Sequence, residues 1–292
     1  MSKFYTALLA TALVMPLCAR AEDDVSLQQG ERSLVANLSR LALQYNRNSV
    51  TNRDEDDAYP GTFTSDEQEV FTGIFDGNLQ YNNDALVWIN SLFMEYGRSE
   101  ANEKGVKTKS ENADKILLST DYTHKIWYLD QGVAGPFVNL GYQTEFTKFT
   151  ADNGEKYRTK ILRGKAGLKL YEGKYFKELY AAAVEEADFT YGDTNMKTAA
   201  EVGYKFEYVI RDDMKFVSDG YLRKFFIYDK YRKTDFKFEA ETNNRIDVTI
   251  VGNLSFAPFV NYKLAKTRGA KKRRSDTTVG LSLGYQTDYR FF

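Results

Sequence analysis

The last seventeen residues, Asp276–Phe292 (DTTVGLSLGYQTDYRFF), constrain the fold more than any other stretch. Val279, Leu281, Leu283, Tyr285, Tyr289 and Phe291 share one parity, and Thr278, Gly280, Ser282, Gly284, Gln286, Asp288 and Arg290 the other. Side chains alternate faces along a strand, so the segment carries one apolar and one polar face. That alternation runs for about 15 residues, roughly three times a typical globular strand. It is the length of a tilted strand crossing a bilayer.

The same pattern recurs upstream. Phe71, Gly73, Phe75, Gly77, Leu79 and Tyr81 oppose Thr72, Asp76, Asn78 and Gln80, and Leu86, Trp88, Leu92, Met94 and Tyr96 form another apolar face. Ile116, Leu118, Thr120, Tyr122 and Ile126 oppose Asp121 and Lys125, and Val138, Leu140, Tyr142 and Phe146 oppose Asn139, Gln143 and Glu145. Leu162, Leu168 and Leu170 oppose Arg163, Lys165 and Lys169, and Val202, Tyr204, Phe206 and Tyr208 oppose Glu201, Lys205 and Glu207. Phe236, Phe238 and Ala240 oppose Lys237, Glu239 and Glu241, and Leu254, Phe256, Pro258, Val260 and Tyr262 line the strand before the last. The first strand, about Arg32 to Arg47, separates its faces poorly. Met214–Tyr228 changes parity, which a bulge near Asp219–Gly220 would reconcile. Turns are expected at Asn82–Asp84, Asp152–Gly154, Glu172–Lys174, Gly192–Asn195 and Arg211–Asp213, with one more at either Asn243–Asn244 or Gly252–Asn253.

Residues 1–21 read as a secretory signal peptide, with Lys3, an apolar run Phe4–Cys18 and the small-residue site Ala19–Ala21. Residues 22–31 form a short polar lead-in and 32–292 the barrel domain. The only cysteine, Cys18, lies in the leader, so an exported chain must hold together without disulfides. Removing Lys3 and Arg20 leaves 38 basic against 41 acidic residues, a balance that argues against a nucleic-acid partner. Tyr and Phe number 21 and 20, and rings of this kind suit a membrane interface.

Twelve strands result, an even number, with the longer connections (48–67, 99–112 and the basic loop 266–275) on one side and short turns on the other. Alternation alone also fits a soluble sandwich, but strand length and the asymmetry of connections point to a closed antiparallel transmembrane β-barrel, an all-β fold. Its lumen wall should carry Asp121, Lys125, Glu145, Arg163, Lys165, Lys169, Glu201, Lys205, Glu207, Lys237, Glu239 and Glu241. Both signs are mixed there, as in a narrow polar pore or a set of plugging ion pairs.

The amphipathic last strand ending in Phe291–Phe292 resembles the C-terminal signal of Gram-negative outer-membrane barrels, which implies recognition by the barrel-assembly machinery. Its usual spacing is met loosely by Ser282, Gly284, Thr287 and Tyr289. Through Trp88–Gly97, Asp114–Ile116, Trp127 and Thr144–Thr147 the chain resembles uncharacterised and salt-induced outer-membrane protein families. That resemblance implies an outer-membrane location and supplies no catalytic residues.

Little chemistry stands out. His124, the one histidine, shares the parity of Tyr122 and Ile126, so it should face lipid near the periplasm as a structural residue. No catalytic constellation, cofactor motif or metal spacing appears. The acidic run Asp54–Asp57 is a solvated loop or a cation site. Lys271, Lys272, Arg273 and Arg274, in an external loop, would meet lipopolysaccharide phosphates. The expected function is a narrow porin-like channel for small polar solutes. The alternatives are a non-conducting structural or surface-interaction barrel and, last, a hydrolase.

Overall fold

The computed structural model describes residues 32–51, 59, 69–103, 106–129, 132–150 and 154–292. The expected signal peptide and the acidic run Asp54–Asp57 lie outside the described residues. Twelve long strands follow one another: β1 Ser33–Val50, β2 Glu69–Asn82, β3 Leu86–Glu103, β4 Val106–His124, β5 Gly132–Thr144 and β6 Ile161–Tyr171. Then come β7 Phe176–Asp188, β8 Asn195–Arg211, β9 Met214–Tyr228, β10 Phe236–Val251, β11 Leu254–Thr267 and β12 Arg274–Arg290. Each pairs antiparallel with its sequence neighbours, and β12 pairs with β1, so the sheet is a closed barrel. Lipid offers the backbone no hydrogen-bond partners, and closure leaves no unpaired edge.

The seam extends past the last strand, since the Leu34 N–H donates to the Phe292 carbonyl (3.1 Å) and the Phe291 N–H to that of Leu34 (2.8 Å). Along β12 the outward residues Val279, Leu281 and Leu283 are exposed, while the inward Ser282 is buried. The same division holds for Leu118, Val138, Leu140 and Leu168, which are half exposed, against buried Thr123, Phe137 and Lys169. In water these exposed aliphatics would be costly at about 25 cal/mol per Å2, and a hydrocarbon surround removes that cost.

Bulges account for the strands whose alternation is blurred. In β1, Leu38 pairs with Gly77 and Arg40 with Asp76, so Ser39 is extra and parity flips there. Leu34, Ala36 and Leu38 face out below it, and Leu41, Leu43 and Tyr45 above it. In β9 the extra residue is Phe226, between Phe225 opposite Ala199 and Ile227 opposite Thr198. The pairing with β10 is regular through Asp219–Gly220, so the bulge expected at that position is absent. In β10, Phe236 pairs with Thr267 and Phe238 with Lys266, which leaves Lys237 bulged.

The tight connections are those at Asn83–Ala85, Glu172–Tyr175, Asp212–Asp213 and Gly252–Asn253, which decides the turn left open between Asn243 and Asn253. Asn83 closes the first of them by accepting the Ala85 and Leu86 amides at 2.8 and 2.9 Å. Residues 99–112 are not a loop: β3 and β4 stay paired to Glu103–Val106, a hairpin that extends the sheet beyond the apolar band. The connection 145–160 is longer than expected because β5 stops at Thr144 and a small ladder, Phe149–Thr150 with Lys156–Tyr157, sits above it.

Candidate functional site

Inward-facing side chains make three layers in the lumen. At the mouth reached by the long loops, Tyr59, Ala265 and Ala270 are buried together against Phe236. The Tyr59 hydroxyl donates to the Lys272 carbonyl at 2.5 Å, and the Arg274 guanidinium lies 4.4 Å from the ring centre. Phe236 also packs against the buried trio Val184, Ala199 and Phe225. Beside it, Lys197 Nζ lies 2.9 Å from Glu186 and 3.2 Å from Asp235, and Arg232 lies 3.0 Å from Asp188.

The middle layer is an ion-paired lattice. Glu201 on β8 takes Lys165 of β6 (2.5 Å), the Tyr180 hydroxyl of β7 (2.5 Å) and Arg223 Nε of β9 (2.5 Å). Arg223 goes on to Glu239 of β10, so five adjacent strands are joined through one carboxylate. Glu201's side chain is 0% exposed and Arg223's 4%. Arg163–Glu186 (2.5 Å) and Lys169–Asp121 (2.8 Å) flank the group, and Lys169 also lies 4.6 Å from the Phe137 ring centre. Opposite walls reach each other as well. Lys115 of β4 lies within electrostatic reach of Glu241 on β10, six strands away, and nearer by, three strands away, Arg40 of β1 is within reach of Arg245 and Asp247 on β10. Arg40 also donates to Ser282 at 3.0 Å.

The floor, at the short turns, joins β2 to the β6–β7 turn. Asn82 donates to Glu172 at 3.3 Å, and Lys125 donates to Asn82 at 2.6 Å. Burial raises the Glu172 carboxyl above its ordinary value and lowers the Lys125 ammonium. Glu172 holds φ = 57°, a left-handed conformation that costs a residue with a Cβ of the order of 1 kcal/mol.

Of the twelve expected lumen residues, Asp121, Arg163, Lys165, Lys169, Glu201, Glu239 and Glu241 stand in the interior layers. Lys205 and Glu207 face inward near the periplasmic end and remain partly exposed, 3.6 Å apart. Lys125 belongs to the floor. Two are misplaced. Glu145 lies beyond β5, where it accepts the Thr159 amide (3.0 Å) and hydroxyl (2.7 Å) and pins the upper loop. Lys237, on its bulge, is exposed, and the same bulge turns Phe236 inward. The alternation also missed Arg223 and Glu186: a parity change obscured the first, and the adjacent Glu185 hid the face of the second.

Lys271, Lys272 and Arg273 are exposed on the β11–β12 connection, whereas Arg274 is buried, its guanidinium over the Tyr59 ring. His124 is exposed at the periplasmic end of β4, and among the described residues no carboxylate or serine hydroxyl hydrogen-bonds to its side chain. Among the described residues no group of three or more His, Cys, Asp or Glu is placed to hold a metal ion.

A closed antiparallel barrel of twelve strands, apolar outside and charged within, defines the class: this is a β-barrel of the type found in the Gram-negative outer membrane. Its architecture is similar to that of the translocator domain of the autotransporter NalP from Neisseria meningitidis, at 10% identity over 90% of each chain and a TM-score of 0.36. It is similar also to the outer-membrane channel DcaP of Acinetobacter baumannii, at 9% identity over 92% of this chain and 100% of that one (TM-score 0.39). The NanC porin is a third such structure, at 13% identity over 82% and 98% (TM-score 0.37). At these values the likeness carries no function across, and the fold rests on the pairing of the strands themselves. No family model and no curated protein matches the chain.

Proposed function

We propose that the protein is an outer-membrane barrel that does not conduct at rest, its lumen closed by its own side chains. The observation that carries this reading is the 0% exposure of the Glu201 side chain at the centre of the lattice. A carboxylate lining an open aqueous channel would be wet. The Tyr59–Phe236 lid and the Asn82–Glu172–Lys125 floor lie to either side of it along the barrel axis. Twelve strands enclose a space between the filled eight-stranded barrel and the open porin, and here the long Arg, Lys and Glu side chains fill it. The reading is non-enzymatic, and it leaves a surface role to the external loops. Lys271, Lys272 and Arg273 supply the charge for contact with lipopolysaccharide phosphate there.

The rival reading, a narrow porin-like channel for small polar solutes, draws on the mixed charge of the same wall. Planar-bilayer recording of purified protein separates the two, with insertion checked by co-flotation with vesicles. Silence is the expected result. Steady unitary currents from the unmodified protein would replace the sealed barrel with the channel.

A further inference from the structure

The exterior is not uniform. Over β11, β12 and β1–β5 it is built of large apolar side chains, among them Leu283, Leu118 and Leu140. Over β7–β9 two charges interrupt apolar residues such as Leu179, Val202 and Leu222. Glu185 of β7 and Lys224 of β9 point outward and are exposed. Between and beside them are Ala181, Ala183 and Ala200, also outward. These charges do not sit above the apolar band. Met196, Phe226 and Ile227 stand further toward the extracellular end of the same wall, 40%, 61% and 63% exposed. An outward Lys or Glu inside the band is costly, by roughly 2–4 kcal/mol for Lys at the midplane and less toward the interface.

Their arrangement is self-complementary. Glu185 is nine residues above Phe176, the first residue of β7, and Lys224 ten above Met214, the first of β9. Ala200, on the strand between, is eleven above Arg211, the periplasmic end of β8. Acid, methyl and base therefore lie at one level across three neighbouring strands. Among the described residues Lys224 forms no ion pair, and Glu185 accepts only the Thr198 hydroxyl, at 2.8 Å. From this we infer that the β7–β9 face is covered by a second copy of the chain. The two-fold axis runs along the membrane normal past Ala200, so that Glu185 of each copy meets Lys224 of the other.

Such an axis keeps both copies upright in the bilayer and makes the interface isologous. The alanines bring the two walls close enough for both pairs to form, as small residues do at membrane interfaces generally. A second observation lies on the same side. Below Lys224, Tyr204, Ser218, Thr242 and Asn244 all face outward and bond to one another, with Tyr204 Oη 3.0 Å from Ser218 and 2.9 Å from Thr242, and Ser218 donating to Asn244 at 2.9 Å. This polar cluster, too, lies within the apolar band. Nothing here depends on whether the lumen conducts.

The test is oxidative cross-linking in native outer membranes, using full-length protein with Cys18→Ser and one introduced cysteine. Ala200→Cys, close to the axis, should yield a covalent dimer, and Leu79→Cys, on β2 at the far side of the barrel, should not. Added to Ala200→Cys, either Glu185→Lys or Lys224→Glu should cut the dimer about tenfold, since each reversal sets two like-charged pairs across the axis. The double reversal should restore it. Each variant's barrel is checked by its resistance to SDS without heating, so a folding failure is not read as a lost interface. Equal cross-linking at positions 200 and 79, or no rescue by the double reversal among folded variants, would overturn the proposal.

Discussion

Replacing Glu201 by Gln is the sharpest probe of the sealed lumen. The side chain keeps its shape and loses its charge, while three donors still converge on it: Lys165, Tyr180 and Arg223. Arg223 retains Glu239. Lys165 is left with the face of Tyr180, 5.3 Å from the ring centre, and among the described residues with no other carboxylate in an ion pair. Breaking a buried pair by removing one partner costs about 3–5 kcal/mol, because the remaining charge stays buried. Glu201→Gln should therefore destabilise the barrel by that amount, read from urea unfolding of protein refolded in lipid vesicles. The pair replacement Lys165→Met/Glu201→Leu removes both charges and leaves Arg223 with Glu239, so it should recover to within about 2 kcal/mol of the parent. If Glu201→Gln costs less than about 1 kcal/mol, the pair behaves as a water-screened surface pair, and the sealed lumen goes with it.

Deleting Phe291 and Phe292 removes both backbone bonds beyond β12 and the Tyr289–Phe291 ring contact, and should sharply reduce the folded, SDS-resistant form in outer-membrane fractions. A Cβ at Gly280 would collide with the Tyr45 carbonyl oxygen across the seam, so Gly280→Ala should destabilise the refolded barrel by about 1–3 kcal/mol, measured by the same unfolding assay. Burial, partly offset by Lys125, raises the Glu172 carboxyl, so its folded pKa lies above the unfolded one. Its contribution to stability is then full below the unfolded value and is lost as pH rises through the folded one. Glu172→Gln should flatten that part of the stability profile upward from about pH 4, and an unchanged profile would show the floor to be open to water.

Where a strand is regular, its parity was legible residue by residue. The faces of β12, β6 and β8 follow directly from their alternation, and with them six lumen charges, Arg163, Lys165, Lys169, Glu201, Lys205 and Glu207. What failed was local. A bulge inserts one residue and inverts every later assignment on that strand, and no side-chain type marks Ser39, Phe226 or Lys237 as the extra one. The inward turn of Phe236 and the role of Arg223 were lost for that reason. The position of loops along the axis was also illegible. The polar stretch 99–112 reads as a loop only if strands are assumed to stop at the membrane surface, whereas backbone pairing in water is equally good. Glu185 and Lys224 show a third limit, since consecutive or isolated charges on a barrel strand do not announce which side they occupy until the register is known.

The seam has a consequence for how the protein is made. Leu34 and Phe292 are separated by almost the whole described chain, and the β1–β12 pairing that their contact extends turns an open sheet into a barrel. Loop-closure entropy makes such distant pairing slow. Until it forms, both terminal strands present bare amides and carbonyls to any neighbouring chain. Maturation is therefore all-or-none: a chain that lacks β12 leaves not a slightly smaller barrel but a sheet with two sticky margins, fit for degradation.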